Sequence, residues 1–99
     1  MRRAFSDTLL KLAEENEKII FLTGDLGFGV FDEFIEKFPK RYINTGVAEG
    51  LLINAAVGLA LEGWKPIVYS IGPFAICRPF EQIKVNVSYH CLPILIIGA

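Results

Sequence analysis

Residues 19–29 read IIFLTGDLGFG, and this stretch decides the fold class of the chain. Its first part, residues 19–23, is apolar and β-branched without interruption, which is typical of a strand buried on both faces of a parallel sheet. Glycines then follow at positions 24, 27 and 29, and glycine is heavily used in the turns that leave a strand. The stretch therefore predicts a buried parallel strand that ends in a glycine-rich loop.

Helical and strand patterns alternate on both sides of this strand. Apolar positions at helical spacing and short β-branched runs give the following predicted order: helix 4–17, strand 19–23, short helix 31–38, strand 42–44, helix 48–61 with Gly63 after its end, strand 66–70, helix 79–89 and strand 93–97. This alternation predicts an α/β fold, a three-layer sandwich around a mostly parallel sheet. The chain stops directly after a strand, so we expect one domain over residues 1–99 that is truncated at its C-terminal end.

The composition excludes several classes of protein. Hydrophobic residues make up 53% of the chain, which predicts apolar surface that faces a partner. The net charge of -1, without a basic stripe, argues against nucleic acid as a partner. Cys77 and Cys91 lack C-x-x-C spacing, so we expect neither a zinc site nor a disulfide framework. No apolar signal core follows the N-terminus, and the weakly charged stretch 50–61 is too short to span a bilayer. We expect a cytoplasmic protein with no membrane partner.

Glu49 is the most informative single residue. It lies in the first turn of the predicted helix 48–61, which is apolar nearly all round and is therefore expected to be buried. A buried carboxyl group must be paired, hydrogen-bonded or protonated. Acidic residues also favour the first helical turn for electrostatic reasons, by roughly 0.3–1 kcal/mol. With Gly46 as the N-cap, Glu49 would stand at the capping-box position. Periodicity alone favours this purely structural explanation.

The glycine loop does not match a known phosphate-binding pattern. Its glycine order is not G-x-G-x-x-G, and no Gly-Lys-Ser/Thr follows. Gly24-Asp25, with Asn54 further on, resembles the thiamine-diphosphate magnesium motif only faintly. Leu26 stands at the third position, and Asn54 falls inside the apolar helix. We therefore reject a magnesium site here and expect no metal ligands in this chain.

Two further candidates come from side-chain chemistry and position. His90 is the single histidine, so no catalytic triad or two-histidine metal site can be assembled. Phe74 follows Gly72-Pro73 in a predicted loop at the C-terminal end of a strand, where α/β sheets bind ligands. Tyr69 and Phe80, like Phe74 itself, are expected by default to be core aromatics.

The order of short segments resembles the pyrimidine-binding domain of transketolase-like enzymes. Relatives include the C-terminal half of split transketolases, deoxyxylulose phosphate synthase and the β subunits of 2-oxoacid dehydrogenases. The matching segments are AFSDTL (4–9), LTGDLG (22–27), KFPKRYINTGVAE (37–49), GLALEG (58–63), PFA (73–75) and RPFEQI (78–83). The block 37–49 is the most specific of them. One departure is Gly50, where relatives often carry a larger side chain.

The resemblance implies a role for several residues. Glu49 would hydrogen-bond N1′ of the aminopyrimidine of thiamine diphosphate, which favours the imino tautomer, so that the 4′-nitrogen can take a proton from thiazolium C2. Phe74 would stack on the pyrimidine, with part of that role filled by Tyr69 or Phe80. Asp25 and Leu26 resemble the Asp-Leu pair that approaches the thiazolium. The cofactor-binding residues implied are therefore Phe74, Asp25, Leu26 and Tyr69, with Glu49 as the catalytic residue.

The resemblance also implies a partner. The diphosphate and Mg²⁺ would be held by an N-terminal diphosphate-binding transketolase subunit, in a homodimer or heterotetramer. The implied function is a share in two-carbon ketol transfer between sugar phosphates, with no activity and at most very weak cofactor binding by the isolated chain. Alternatives remain open: the same domain from a 2-oxoacid dehydrogenase β subunit or a deoxyxylulose phosphate synthase, or a non-catalytic truncated remnant that only docks or dimerises.

Overall fold

The computed structural model describes all residues, 1–99, and contains the predicted order of elements with one helix added. The elements are α1 (Arg2–Glu15), β1 (Ile19–Thr23), α2 (Asp32–Lys37), β2 (Tyr42–Asn44), α3 (Glu49–Leu61), β3 (Lys65–Ser70), α4 (Gly72–Ile76), α5 (Gln82–Ser88) and β4 (Leu95–Gly98). A 3₁₀ turn, Pro39–Arg41, precedes β2, and α5 is a π-helix. No helix is both long and apolar enough to cross a membrane.

The four strands form one sheet in the order β2-β1-β3-β4, and all neighbouring pairs are parallel. Strand β1 lies inside the sheet, and every one of its residues is buried. Its last residue, Thr23, stands opposite Asn44 of β2 and Tyr69 of β3. The prediction of a parallel sheet built on residues 19–23 is therefore confirmed.

Alternate residues of the central strands point to opposite faces of the sheet and contribute to two separate cores. Phe21 and Tyr69 point to the core formed with α1 and α2, whereas Leu22 and Val68 point to the core formed with α3 and α5. The first core comprises Leu9, Ala13, Ile19, Phe21, Phe31, Phe34, Ile67 and Tyr69. The second comprises Ile20, Leu22, Leu52, Ile53, Ala56, Val68 and Val87. Helices on both faces of a parallel sheet make the predicted three-layer sandwich.

The connections reverse direction between β1 and β3. From β1 the chain goes to β2 at one edge, and from β3 it goes to β4 at the other. In open α/β sheets the crevice at such a switch point, beyond the C-terminal ends of the strands, is the usual ligand position. The loop after β1, the segment 45–48 that leads into α3, and the start of α4 all leave the sheet at this edge.

Candidate functional site

Asn44 joins the two loops at this edge of the sheet. Its Oδ1 accepts hydrogen bonds from the backbone N–H groups of Asp25 and Gly46, each at 2.9 Å. Its Nδ2 donates to Oδ1 of Asp25 at 3.0 Å. Asp25 has φ 58, a left-handed conformation that costs a non-glycine residue energy and persists only where its surroundings hold it. The loop after β1 is therefore tied to the segment that leads into α3.

The turn at Gly46 sets where α3 begins. Gly46 has φ 73, and its carbonyl accepts the N–H of Ala48 at 2.9 Å. Ala48 is consequently the N-cap, and Glu49 is the first helical residue. The prediction that Glu49 stands at a capping-box position with Gly46 as N-cap was wrong, because the tight turn moves the cap two residues along. The side chain of Glu49 is 5% exposed, so its carboxylate is buried.

Arg78 brings Glu49 and Phe74 together. Its Nη1 donates a hydrogen bond to Oε1 of Glu49 at 3.1 Å. Its guanidinium carbon lies 3.6 Å from the centroid of the Phe74 ring, within the range of a cation–π contact. Phe74 lies in α4, not in a loop as predicted, because Pro73 stands at the start of that helix, where a missing N–H costs nothing. Sequence reasoning did not single out Arg78, and its spacing of four residues from Phe74 is the signal that could have found it.

Ser70 adds a polar atom that sequence reasoning missed. It ends β3, is fully buried, and its Oγ is the one buried side-chain polar atom without a hydrogen-bond partner. It lies 3.9 Å from the place that a Cβ on Gly24 would take. The alternation of strand residues puts its side chain on the α3 side of the sheet, and Gly24, which follows β1, lies beside it.

Leu26 lies beside a cleft next to the loop after β1. The cleft has a volume of about 180 Å³, and its lining includes Leu26, Phe31, Tyr42 and Asn44. Glu49 lines none of the four cavities of the chain. Its carboxylate is instead covered in part by the half-exposed Arg78.

Tyr69 is not brought together with Glu49. Its side chain is 3% exposed and belongs to the core on the α1 and α2 side of the sheet. Its ring stacks on Phe5 with centroids 5.7 Å apart, and it meets Phe31 edge-on at 4.8 Å. These contacts explain Tyr69 structurally, while its role toward a cofactor stays a prediction. Phe80, the other alternative aromatic, is 60% exposed, so the default prediction that it is a core aromatic was wrong.

The remaining polar candidates make local contacts. Asn54 lies in α3, and its Oδ1 accepts a hydrogen bond from Asn86 Nδ2 at 2.8 Å. His90 Nδ1 lies 3.0 Å from the Val85 carbonyl oxygen. No three His, Cys, Asp or Glu side chains lie together in a way that could hold a metal ion.

The parallel sandwich belongs to the class of α/β domains that present polar side chains at the switch point of the sheet. Within that class, the chain belongs to the transketolase pyrimidine-binding domain family. The family model described as "Transketolase, pyrimidine binding domain" matches residues 1–99.

Individual relatives agree with this family. The chain is 40% identical over 91 residues to 1-deoxy-D-xylulose-5-phosphate synthase of Gloeobacter violaceus, covering 91% of this chain and 14% of the relative. It is 33% identical over 98 residues to an apulose-4-phosphate transketolase subunit of Phocaeicola vulgatus, covering 98% of this chain and 31% of that relative. A solved structure titled "Split gene transketolase, inactive beta4 tetramer" matches with a TM-score of 0.90 and 35% identity, over 98% of this chain and 33% of that one. The chain thus spans a third or less of the length of these relatives.

Proposed function

We propose that the chain is the pyrimidine-binding part of a thiamine-diphosphate-dependent transketolase and contributes to two-carbon ketol transfer between sugar phosphates. The observation that carries the proposal is the buried carboxylate of Glu49 at the start of α3, linked through Arg78 to the Phe74 ring. A carboxyl group and an aromatic ring held at the same edge of the sheet are the two features that an aminopyrimidine requires: a partner for a ring nitrogen and a surface for stacking.

The residues present fit the pyrimidine half of the cofactor. Glu49 would share a hydrogen bond with N1′, which is strong where water is excluded. Phe74 would stack on the ring, a contact worth about 0.5–1.5 kcal/mol beyond area burial. We assign Asp25 and Leu26 to the thiazolium side, because their loop leaves the sheet at the same edge. Tyr69 would fill part of the stacking role, although its ring packs against Phe5 and Phe31 in this structure. When bound, thiamine diphosphate supplies the electron sink for carbon–carbon bond cleavage.

The proposed partner is a diphosphate-binding subunit that also holds Mg²⁺. Large apolar side chains close to Glu49 and Arg78 along the chain are exposed, namely Val47 (69%), Leu51 (57%) and Phe80 (60%). Exposed apolar groups this close to the site residues along the chain support a surface that another chain covers. We propose a homodimeric or heterotetrameric assembly of this single domain in the cytoplasm, in which the cofactor is shared between two chains.

The proposal is tested by replacing Glu49 with Gln in the assembled enzyme. The chain is combined with an N-terminal diphosphate-binding subunit, thiamine diphosphate and Mg²⁺, and ketol transfer is measured. The variant is expected to lose activity by roughly 10²–10⁴-fold, the range typical for a proton-transfer partner. Glu62→Gln is the matched control, because Glu62 is the exposed C-cap at the other end of α3. Equal activity of the two variants would show that Glu49 has no such role.

A second reaction is favoured by the 40% identity to a 1-deoxy-D-xylulose-5-phosphate synthase. The same domain would then contribute to forming that sugar phosphate. Assaying the assembled enzyme for 1-deoxy-D-xylulose 5-phosphate beside ketol transfer distinguishes the two reactions. The Glu49→Gln variant should impair whichever reaction is found, since both would use the same end of the cofactor.

A further inference from the structure

The Arg78 to Glu49 pair differs from the other ion pair of the chain. Lys37 pairs with Glu14, and both of those side chains are close to half exposed. Arg78 is 48% exposed, but the Glu49 side chain that it contacts is only 5% exposed. A buried carboxylate is destabilising unless a charged or hydrogen-bonding partner compensates it, and Arg78 is the one side chain that donates to it.

The position of Arg78 is itself fixed by Phe74. The guanidinium is planar, and stacking on an aromatic ring leaves its N–H groups pointing in fixed directions. Phe74 and Arg78 are separated by four residues along a short helix and the turn that follows it, so the ring and the guanidinium meet locally. Glu49 comes from a different element, 29 positions earlier in the chain. The three side chains therefore form one connected contact from ring to guanidinium to carboxylate.

This contact engages only one of the two carboxylate oxygens of Glu49. Oε1 accepts the hydrogen bond from Arg78, whereas no protein group donates to Oε2. An unrestrained glutamate side chain can rotate about three bonds, and each rotation moves the second oxygen. A donor fixed on Oε1 removes that freedom and leaves Oε2 in a defined direction.

We infer that Arg78 is a positioning residue that holds the Glu49 carboxylate by Oε1 and presents Oε2 to the ring nitrogen of a bound aminopyrimidine. This inference rests on the function proposed above. Arg78 acts through Glu49, so its contribution to ligand binding disappears when the Glu49 carboxylate is removed. That dependence distinguishes it from a residue that merely stabilises the fold or touches the ligand independently.

The test is a double-mutant cycle on the chain assembled with an N-terminal diphosphate-binding subunit, with thiamine as the probe. Thiamine binding is measured from NMR chemical shifts at high thiamine concentration. The single variants Arg78→Ala and Glu49→Gln should each weaken thiamine binding by about tenfold, the effect of losing one hydrogen bond to a charged group. The double variant should bind no more weakly than Glu49→Gln alone, because interacting residues are not additive. Arg78→Lys should fall between the wild type and Arg78→Ala, since it keeps the charge but not the planar fork.

Three results would overturn the inference. The first is tighter or unchanged binding by Arg78→Ala, because the arginine would then hinder binding or take no part in it. The second is fully additive losses in the double variant. The third is the absence of a thiamine-induced shift in the wild type. Arg78→Met removes the N–H donors but keeps a long side chain, and it replaces Arg78→Ala if circular dichroism shows that the alanine variant is unfolded. Lys84→Ala, an exposed charge on α5, should bind like the wild type. Loss of binding in Glu49→Gln but not in Arg78→Ala would remove this inference and leave the proposed function intact.

Discussion

Asn44 and Asp25 are joined in both directions, since the Asn44 side chain accepts the backbone N–H of Asp25 and donates to its carboxylate. The same Asn44 oxygen also accepts the N–H of Gly46, so one amide group holds the ends of two loops. These loops carry Leu26 and lead to Glu49, which are candidate site residues on different segments. The geometry of the switch-point edge therefore depends on a residue that sequence reasoning treated only as part of a motif.

Replacing Asn44 with Ala should lower the free energy of unfolding by about 1–2 kcal/mol, because three hydrogen bonds are lost. The loss is no larger because the position is exposed, so that water can hydrogen-bond to the groups left unpaired. Urea denaturation measures the change. Asn86→Ala is the matched control, since Asn86 makes one hydrogen bond to the exposed Asn54, and its effect should stay within about 0.5 kcal/mol. Indistinguishable stabilities of the two variants would mean that Asn44 does not hold the loops.

The Arg41 side chain hydrogen-bonds to backbone carbonyl groups at the C-terminal end of α1. Its guanidinium donates to the carbonyl oxygens of Ala13 and Asn16, each at 3.0 Å, and lies 3.9 Å above the Phe38 ring. Arg41→Ala should cost about 1.5–3 kcal/mol, the usual effect of hydrogen bonds that involve a charged group. Arg41→Lys should cost less, because the charge remains near the helix end while the fork is lost.

The control for Arg41 is Lys37→Ala. Lys37 pairs with Glu14 on the surface, and an exposed pair of this kind contributes at most about 1 kcal/mol. Thermal or urea unfolding in low and high salt separates the two cases. Added salt should reduce the Lys37 effect and leave most of the Arg41 effect. A Lys37→Ala variant as unstable as Arg41→Ala would contradict this ranking.

Two glycines should respond to alanine in opposite directions. Gly27 has φ 86, and an added Cβ would come within 2.5 Å of the Phe31 ring, so Gly27→Ala should destabilise the fold by more than about 1 kcal/mol. Gly58 lies exposed within α3, and an added Cβ meets nothing within 4 Å. Gly58→Ala should therefore stabilise the protein by about 0.5–1 kcal/mol. Melting curves of both variants measure these changes. A Gly58→Ala variant that is less stable than the wild type would contradict the prediction for Gly58.

The fold could be predicted from sequence because its main signals are local. The run Ile19–Thr23 and the apolar stretch after Glu49 each specify an element without reference to the rest of the chain. The sequence also correctly predicted a glycine cap at the end of α3, where Gly63 has φ 90. Boundaries were less accurate, since strand ends depend on pairing across the sheet and helix ends depend on turns such as the one at Gly46.

The site was only partly predictable, because its decisive contacts join distant segments. Burial of Glu49 could be anticipated from the apolar helix. Its pairing with Arg78, 29 positions later, depends on where α4, which packs against β3 and β4, places the residues that follow it. The π-helical form of α5 was also missed. It depends on five-residue backbone hydrogen bonds, such as that from Tyr89 N–H to the Lys84 carbonyl at 3.2 Å, and hydrophobic periodicity does not report them.

Thr23 and Ser70 end the two central strands, and their hydroxyl groups differ in one respect. The Thr23 hydroxyl lies 2.8 Å from the Tyr42 hydroxyl, whereas Ser70 Oγ has no partner. Thr23→Val should lower the free energy of unfolding by about 0.5–1.5 kcal/mol, the net value of one hydrogen bond. Ser70→Ala should raise it by about 1 kcal/mol, because a buried hydroxyl without a partner is destabilising. Urea denaturation of the two variants under identical conditions gives both numbers. A Ser70→Ala variant that loses as much stability as Thr23→Val would mean that the Ser70 hydroxyl is satisfied in solution, by a trapped water or a rotated neighbour.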